Sequence, residues 1–298
     1  MRSVLGLVDE LRPWHVLDRP VFVVAAPRSG STFLFDMLEA HPGTISWPFE
    51  AHAAFRAAEP AGHPWELGHR WPPSYATEQV RRTLSRELYL GRLQARRRVD
   101  EPVGRWERLA LRKVRLLEKT PANVVRLGAL ARLFPDARFV YLHRDAPASI
   151  GSLIEAWETP SLAHATVEID GRPVSWMMLA APGWLDLVDA PPPTKAAFQW
   201  RAGTEHVLAD LQDVDPSRVV RISYEELVAD PAGHLRRVLE HCALEPAPEV
   251  LSRATTAGGR GRTSFSAPRT DKWRARAADI EPLLADLAPL RQALGYEV

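Results

Sequence analysis

The sequence predicts an α/β protein: a single three-layer domain with a central parallel sheet of four or five strands and helices on both faces. Three observations predict it. Short β-branched apolar runs recur along the chain, and each leads into a segment with apolar residues at helical spacing. The runs carry almost no polar alternation, as expected of strands buried on both faces. No internal repeat or low-complexity linker divides the chain, and 298 residues at 46% hydrophobic suffice for one large core.

Val21 to Ala26 is the first unbroken apolar run. The segment Ala25-Ala26-Pro27-Arg28-Ser29-Gly30-Ser31-Thr32 turns it into a helix, with Leu34, Met37 and Leu38 as the apolar stripe and Pro42 as the stop. A second strand is expected at Val114 to Glu118. Thr120 is expected to cap the helix after it, with Pro121 in the first turn and Val124, Leu127, Leu130 and Leu133 inward. Phe139 to Leu142 forms a third strand, running through His143-Arg144-Asp145 into a helix with Ile150, Leu153, Ile154 and Trp157 on one face. Val219 to Ile222 is the fourth. Asp230-Pro231 opens the next helix, with Leu235, Val238, Leu239 and Cys242 inward, and Leu283, Leu284, Leu287, Leu290 and Leu294 mark a C-terminal helix.

Two stretches interrupt this pattern. The core is expected at about 20–54, 113–157 and 196–298, with a helical insertion at about 55–112 and a lid over an acceptor at about 158–195. The insertion carries Arg81, Arg82, Arg96, Arg97 and Arg98, mixed with glutamates as on a solvated helix face. The second stretch contains Asp170-Gly171 between short β-prone runs, a hairpin signal, with Pro173 confining its strand to an edge. The cluster Trp176, Met177, Met178, Leu179 and Trp184 is either core or the wall of an acceptor pocket.

A net charge of +1 gives no global bias toward nucleic acid or membrane. Only four of the 38 basic residues are lysine, at 113, 119, 195 and 272, so each of them merits inspection. A single cysteine, Cys242, excludes an intrachain disulfide and fits a reducing compartment. Asp9 and Glu10 interrupt the first residues, and no apolar run is long enough to span a bilayer. The expectation is a cytoplasmic protein with neither signal peptide nor membrane segment.

The turn at 25–32 carries the strongest chemical signal. A strand that ends in a tight small-residue loop and opens a helix aims backbone N–H groups at one point, where the helix dipole adds positive charge. Arg28 adds charge-assisted donors; Ser29, Ser31 and Thr32 add hydroxyls. The loop is P-loop-like, but against G-x-x-x-x-G-K-[ST] it has Ala25 for the first glycine and Ser31 for the lysine. It suits an anion better than a magnesium triphosphate. Arg144 at the end of a buried strand, with Ser152 about two helical turns on, makes a second candidate phosphate grip. His143-Arg144-Asp145 mimics a kinase catalytic loop, but Ile150 stands where the metal-binding asparagine belongs.

These segments resemble those of the PAPS-dependent sulfotransferases, closer to the tyrosylprotein-type and bacterial branch than to the cytosolic histidine-base enzymes. Pro27 to Thr32 looks like that family's 5′-phosphosulfate loop, and Arg144 to Ser152 its 3′-phosphate motif. Tyr224-Glu225-Glu226-Leu227 is similar to the element whose tyrosine lies against the adenine. Asp271-Lys272-Trp273-Arg274 resembles the basic segment that closes over the nucleotide. The four stand in family order over most of the chain.

The resemblance implies transfer of a sulfuryl group from PAPS (3′-phosphoadenosine 5′-phosphosulfate) to a hydroxyl or amine, with adenosine 3′,5′-bisphosphate as product and no required metal. It implies that Arg28, Ser29, Gly30, Ser31 and Thr32 hold the 5′ end and Arg144 and Ser152 the 3′-phosphate. Tyr224 and Phe265 are candidates for the adenine, and Arg262, Lys272 and Arg274 for covering the nucleotide. Lys119 matches the lysine that approaches the leaving oxygen. Pro121 occupies the place of the cytosolic enzymes' histidine, so the base is assigned to Glu50, one residue displaced from the tyrosylprotein-type glutamate, with His52 as alternative. The expected acceptor is a small molecule, bulky and partly apolar. The rival readings are a P-loop small-molecule kinase and a non-catalytic nucleotide-binding protein.

Overall fold

The computed structural model describes residues 17–47, 50–96, 115–159, 165–256 and 271–298. Five parallel strands form one sheet in the order β2-β3-β1-β4-β7: β1 Val21–Val24, β2 Ile45–Ser46, β3 Leu116–Lys119, β4 Arg138–His143 and β7 Val219–Ser223. In β1, Phe22 and Val24 face one core cluster with Phe139 and Tyr141 of β4, while Val21 and Val23 face another with Val140 and Leu142. That alternation, with both faces buried, explains the unbroken apolar runs. Each large side chain buried there is worth roughly 1.5–3 kcal/mol.

Helices α1 (Ser31–Leu38), α7 (Tyr224–Ala229), α8 (Pro231–His241) and α9 (Pro248–Thr256) cover the second face. The first carries α2 (His52–Ala58), α3 (Glu78–Arg96), α4 (Leu127–Leu133) and part of α6 (Pro192–Asp210). Helix α5 (Ala146–Trp157), α6 and α10 (Ala277–Ala293) share a third cluster around Ile150, Trp200 and Ile280. Among the described residues no helix is long and apolar enough to cross a membrane.

Local chemistry accounts for several boundaries. Asp145 caps α5 with Pro147 in the first turn, Asp230 caps α8, and Ser223 and Glu226 form a capping box at α7. Thr120 departs from expectation. Its hydroxyl caps nothing, because Glu118 and the Ala51 N–H engage it, and Pro121–Val125 is a 3₁₀ turn preceding α4. The hairpin β5 (Ala165–Ile169) and β6 (Arg172–Trp176) turns at Asp170 and Gly171, both at positive φ. Trp176, Met177, Leu179 and Trp184 are buried, and Trp176 packs edge-on against Trp157 and Trp184 at 5.2 and 5.3 Å. They belong to the core, so nothing about an acceptor follows from them.

Candidate active site

Four chemistry-bearing segments leave the carboxyl ends of adjacent strands: the loop after β1, Lys119 at the end of β3, Arg144 after β4 and Tyr224 after β7. A parallel sheet gathers ligands at that edge, where strand order reverses about β1.

The loop is held in an unusual backbone conformation. Arg28 has φ of 65° and Gly30 of 88°, so the chain passes twice through the left-handed region before α1 begins. Such geometry in a non-glycine residue costs energy and clusters at ligand sites. Glycine is required at 30 for a second reason: a Cβ there would stand 2.2 Å from Tyr224 Cδ2. No side chain caps α1, which leaves its first N–H groups directed at the loop's concavity. Ser29 is 1% exposed, and its Oγ has no hydrogen-bond partner among the described residues. A buried hydroxyl without a partner is costly unless a ligand satisfies it.

Arg28, from the loop, donates through Nε to Ser152 Oγ of α5 at 3.0 Å. Arg144 donates to the Arg28 carbonyl at 3.2 Å and lies 4.5 Å from the centroid of the Tyr224 ring. The two expected phosphate grips are therefore contiguous, with Tyr224 between Gly30 and Arg144. Arg144 Nε is buried without a partner among the described residues. Burial presses the pKa values of both arginines down; Glu155 opposes this at Arg28, and Tyr224 and Glu225 oppose it at Arg144.

On the other side of the loop, Lys119 is 5% exposed, and its Nζ lies 2.8 Å from Glu50 Oε1 and 3.5 Å from Thr32 Oγ1. Glu50 also accepts from His52 Nε2 at 2.9 Å. Burial would raise the Glu50 carboxyl, but the His52 hydrogen bond and the Lys119 charge outweigh it and hold the pKa at about 2. Ala51, not Glu50, stands at the N-cap of α2. The Glu50 and His52 side chains are 36% and 40% exposed, so the pair opens outward.

Lys272 pairs with Glu155 of α5 at 2.7 Å, and Arg274 lies 5.2 Å over the Trp273 ring. Trp273 packs on Gly151, next to Ser152. The basic segment thus reaches the helix of the expected 3′ site, with both basic side chains exposed. Phe265 and Arg262 lie outside the described residues.

The chain is similar to known proteins along most of its length. The model of the sulfotransferase family matches residues 20–249. The chain belongs to that family. The protein is 25% identical, over 77% of its length, to omega-hydroxy-beta-dihydromenaquinone-9 sulfotransferase Stf3 of Mycobacterium tuberculosis. It is 27% identical over 78% to nodulation protein NoeE of Sinorhizobium fredii, and 23% over 93% to protein-tyrosine sulfotransferase 2 of Gallus gallus. The match spans 64%, 51% and 69% of those relatives' lengths. Among solved structures, sulfotransferase STF9 of Mycobacterium avium superposes with a TM-score of 0.57 at 17% identity, covering 95% of this chain and 78% of that one. The sulfotransferase domain of the Synechococcus olefin synthase gives 0.54 at 21%, covering 96% and 98%. These likenesses establish the fold, and family membership makes the chain a transferase.

Inspection of the sequence missed three groups. Glu118, Thr120, Asn123 and Arg126 form a buried network beneath Glu50; its one sequence signal is a carboxylate inside a strand that begins with two leucines. His69 accepts from the Ala180 N–H at 3.0 Å and lies 6.3 Å, ring to ring, from His52. Burial depresses its pKa to about 3, so the ring is neutral, and no local pattern marks it. Tyr296 and Arg291 tie the C-terminal end to Glu225 and Asp145, beside Arg144.

Proposed function

We propose that this sulfotransferase takes its sulfuryl group from PAPS and delivers it to a hydroxyl or amine of a small-molecule acceptor. The observation that carries this reading is the Arg28–Ser152 hydrogen bond, which joins the 5′ loop to the 3′ element. One nucleotide phosphorylated at both ends can then meet both. Ser29 Oγ and Arg144 Nε, buried and without partners among the described residues, fit the same ligand.

The donor supplies a sulfuryl group already attached to a stable phosphate leaving group. The chain's own residues supply the rest. Glu50 removes the proton of the acceptor hydroxyl as oxygen attacks sulfur in line. Lys119, within reach of both Glu50 and Thr32, places its ammonium where negative charge grows on the departing oxygen. Its withdrawal toward the donor frees Glu50 from its strongest cation and raises its basicity. His52 steadies the other carboxylate oxygen. We assign Lys272 and Arg274, whose segment packs against Gly151 of α5, to covering the nucleotide.

Titration calorimetry tests the donor. Adenosine 3′,5′-bisphosphate binds and AMP binds at least about tenfold more weakly, since loss of charge-assisted hydrogen bonds costs that much. No binding, or equal affinity for the two, refutes the reading. An acceptor screen with labelled PAPS separates small hydroxylated molecules, the class named in Stf3, from tyrosyl peptides, the class named in the chicken relative.

A further inference from the structure

The geometry points to Glu118 as the positioning residue of the base, acting through the Thr120 hydroxyl on the backbone that carries Glu50. The inference rests on the transfer reading and concerns the end of β3, where a charged residue is wholly buried: Glu118 is 0% exposed.

The polarity of its hydrogen bonds is determined step by step. Arg126 is donor-only, so its Nη1, 3.4 Å from Asn123 Oδ1, orients the Asn123 amide. The Asn123 Nδ2 then donates to Glu118 Oε2 at 2.6 Å. On the other side, Thr120 Oγ1 accepts the Ala51 N–H at 2.8 Å, and its single proton goes to Glu118 Oε1. Arg126 is itself fixed by the His69 carbonyl at 3.0 Å and lies 4.6 Å over Phe55. The hydrogen bonds from Arg126 through Asn123, Glu118 and Thr120 to Ala51 thus form one directed chain.

Ala51 follows the base directly and is the N-cap residue of α2, where its own side chain makes no capping hydrogen bond. Thr120 therefore holds the first N–H after Glu50. Lys119, between Glu118 and Thr120, holds the Glu50 side chain from the other face of the strand. Three consecutive residues thus grip the base twice, once by its carboxylate and once by its backbone. Glu118 makes the second grip directional: without an acceptor at that point, the Thr120 hydroxyl is free to rotate and the Ala51 N–H loses its lone pair. Placement of a base is costly to lose, because small displacements of a reacting group slow chemistry far more than they weaken binding.

The test compares Thr120→Val, Thr120→Ser and Glu118→Gln in the full chain, with two readouts. Hydrogen exchange at the Ala51 amide reports the tether without reference to activity: it accelerates in Thr120→Val and returns to the wild-type rate in Thr120→Ser. In turnover, Thr120→Val loses kcat on the order of 10- to 100-fold while donor KM and bisphosphate affinity stay within about twofold, and Thr120→Ser restores most of the rate. Glu118→Gln, with one oxygen replaced by a donor, shows the same split. The inference is overturned if wild type transfers sulfuryl groups and Thr120→Val or Glu118→Gln keeps its kcat. It is equally overturned if Thr120→Ser fails to rescue, or if kcat, bisphosphate affinity and melting temperature fall together. A wild-type chain that transfers nothing from PAPS instead overturns the functional reading on which the inference stands.

Discussion

Lys119 and Glu50, 69 positions apart in the chain, form an ion pair of 2.8 Å beside the Thr32 hydroxyl at the start of α1. The contact joins the end of β3, the turn into α2 and the anion-binding loop at one point. It brings Glu50, proposed above as the base, and Lys119, proposed as the leaving-group donor, to one place. Lys119→Ala is therefore expected to lower kcat by about 10²–10³-fold, the usual cost of removing a donor at developing charge. Bisphosphate affinity by calorimetry should stay close to wild type. Unchanged turnover removes the role.

Glu50→Gln separates a base from a structural carboxylate. Its turnover should collapse at full bisphosphate affinity, and a fully active variant ends the assignment. Stability supplies an independent check. The Glu50 carboxyl titrates near 2 in the folded protein against 4.5 unfolded, so the folded state binds its proton more weakly. Its contribution is present above pH 4.5 and is lost as pH falls toward 2. Urea midpoints of wild type and variant should therefore converge on acidification.

Glu118 has the opposite sign. Burial, against the Thr120 hydrogen bond and the Lys119 charge, lifts its pKa from 4.5 to about 7. The folded state then binds the proton more tightly than the unfolded one, so stability falls as pH rises from 4.5 through 7. Glu118→Gln should flatten this part of the profile. A wild-type urea midpoint with the same pH dependence as the variant over that interval would count against a titrating Glu118.

Ser152 accepts from Arg28 and lies on the helix that follows Arg144. Ser152→Ala should weaken adenosine 3′,5′-bisphosphate by about tenfold and AMP hardly at all, since one hydrogen bond to a charged group is worth roughly 1.5–3 kcal/mol. Calorimetry with both ligands measures the ratio. Equal losses would place Ser152 away from the 3′-phosphate.

Gly30→Ala tests the loop itself. The new methyl would have to occupy space held by Tyr224 at a φ of 88°. A loss of roughly 1–3 kcal/mol for the left-handed strain alone is expected, read as a lower melting temperature. Nucleotide binding should fall with it, because Tyr224 cannot move without releasing Arg144. Retention of both would show that the close approach is not required.

The parallel sheet was legible in the sequence because its strands bury both faces and so read as apolar runs. The anion loop was legible because proline, small residues and a glycine concentrate there. Asp145 and Asp230 precede helices that the sequence predicts, and both cap them within three residues; the Ser223 capping box at α7 emerged only in the structure. Thr120 looked like another cap and is not one, because partners far away in sequence, at Ala51, and near, at Glu118, compete for its hydroxyl. The tryptophan cluster was open to two readings, and packing alone settled it as core.

Local sequence thus determined the four longer strands of the sheet and the hairpin turn, since those depend on side-chain period and on contacts spanning a few residues, whereas the two-residue strand Ile45–Ser46 is too short to carry a period. It also determined which cations and hydroxyls were available. Only the tertiary structure decided that Arg28 reaches Ser152, that Lys119 pairs with Glu50 rather than with neighbouring Glu118, and that Glu118 turns inward to Thr120. The physical reason is that such contacts depend on strand order and on the low dielectric of a closed core. Both arise only when segments remote in the chain pack together.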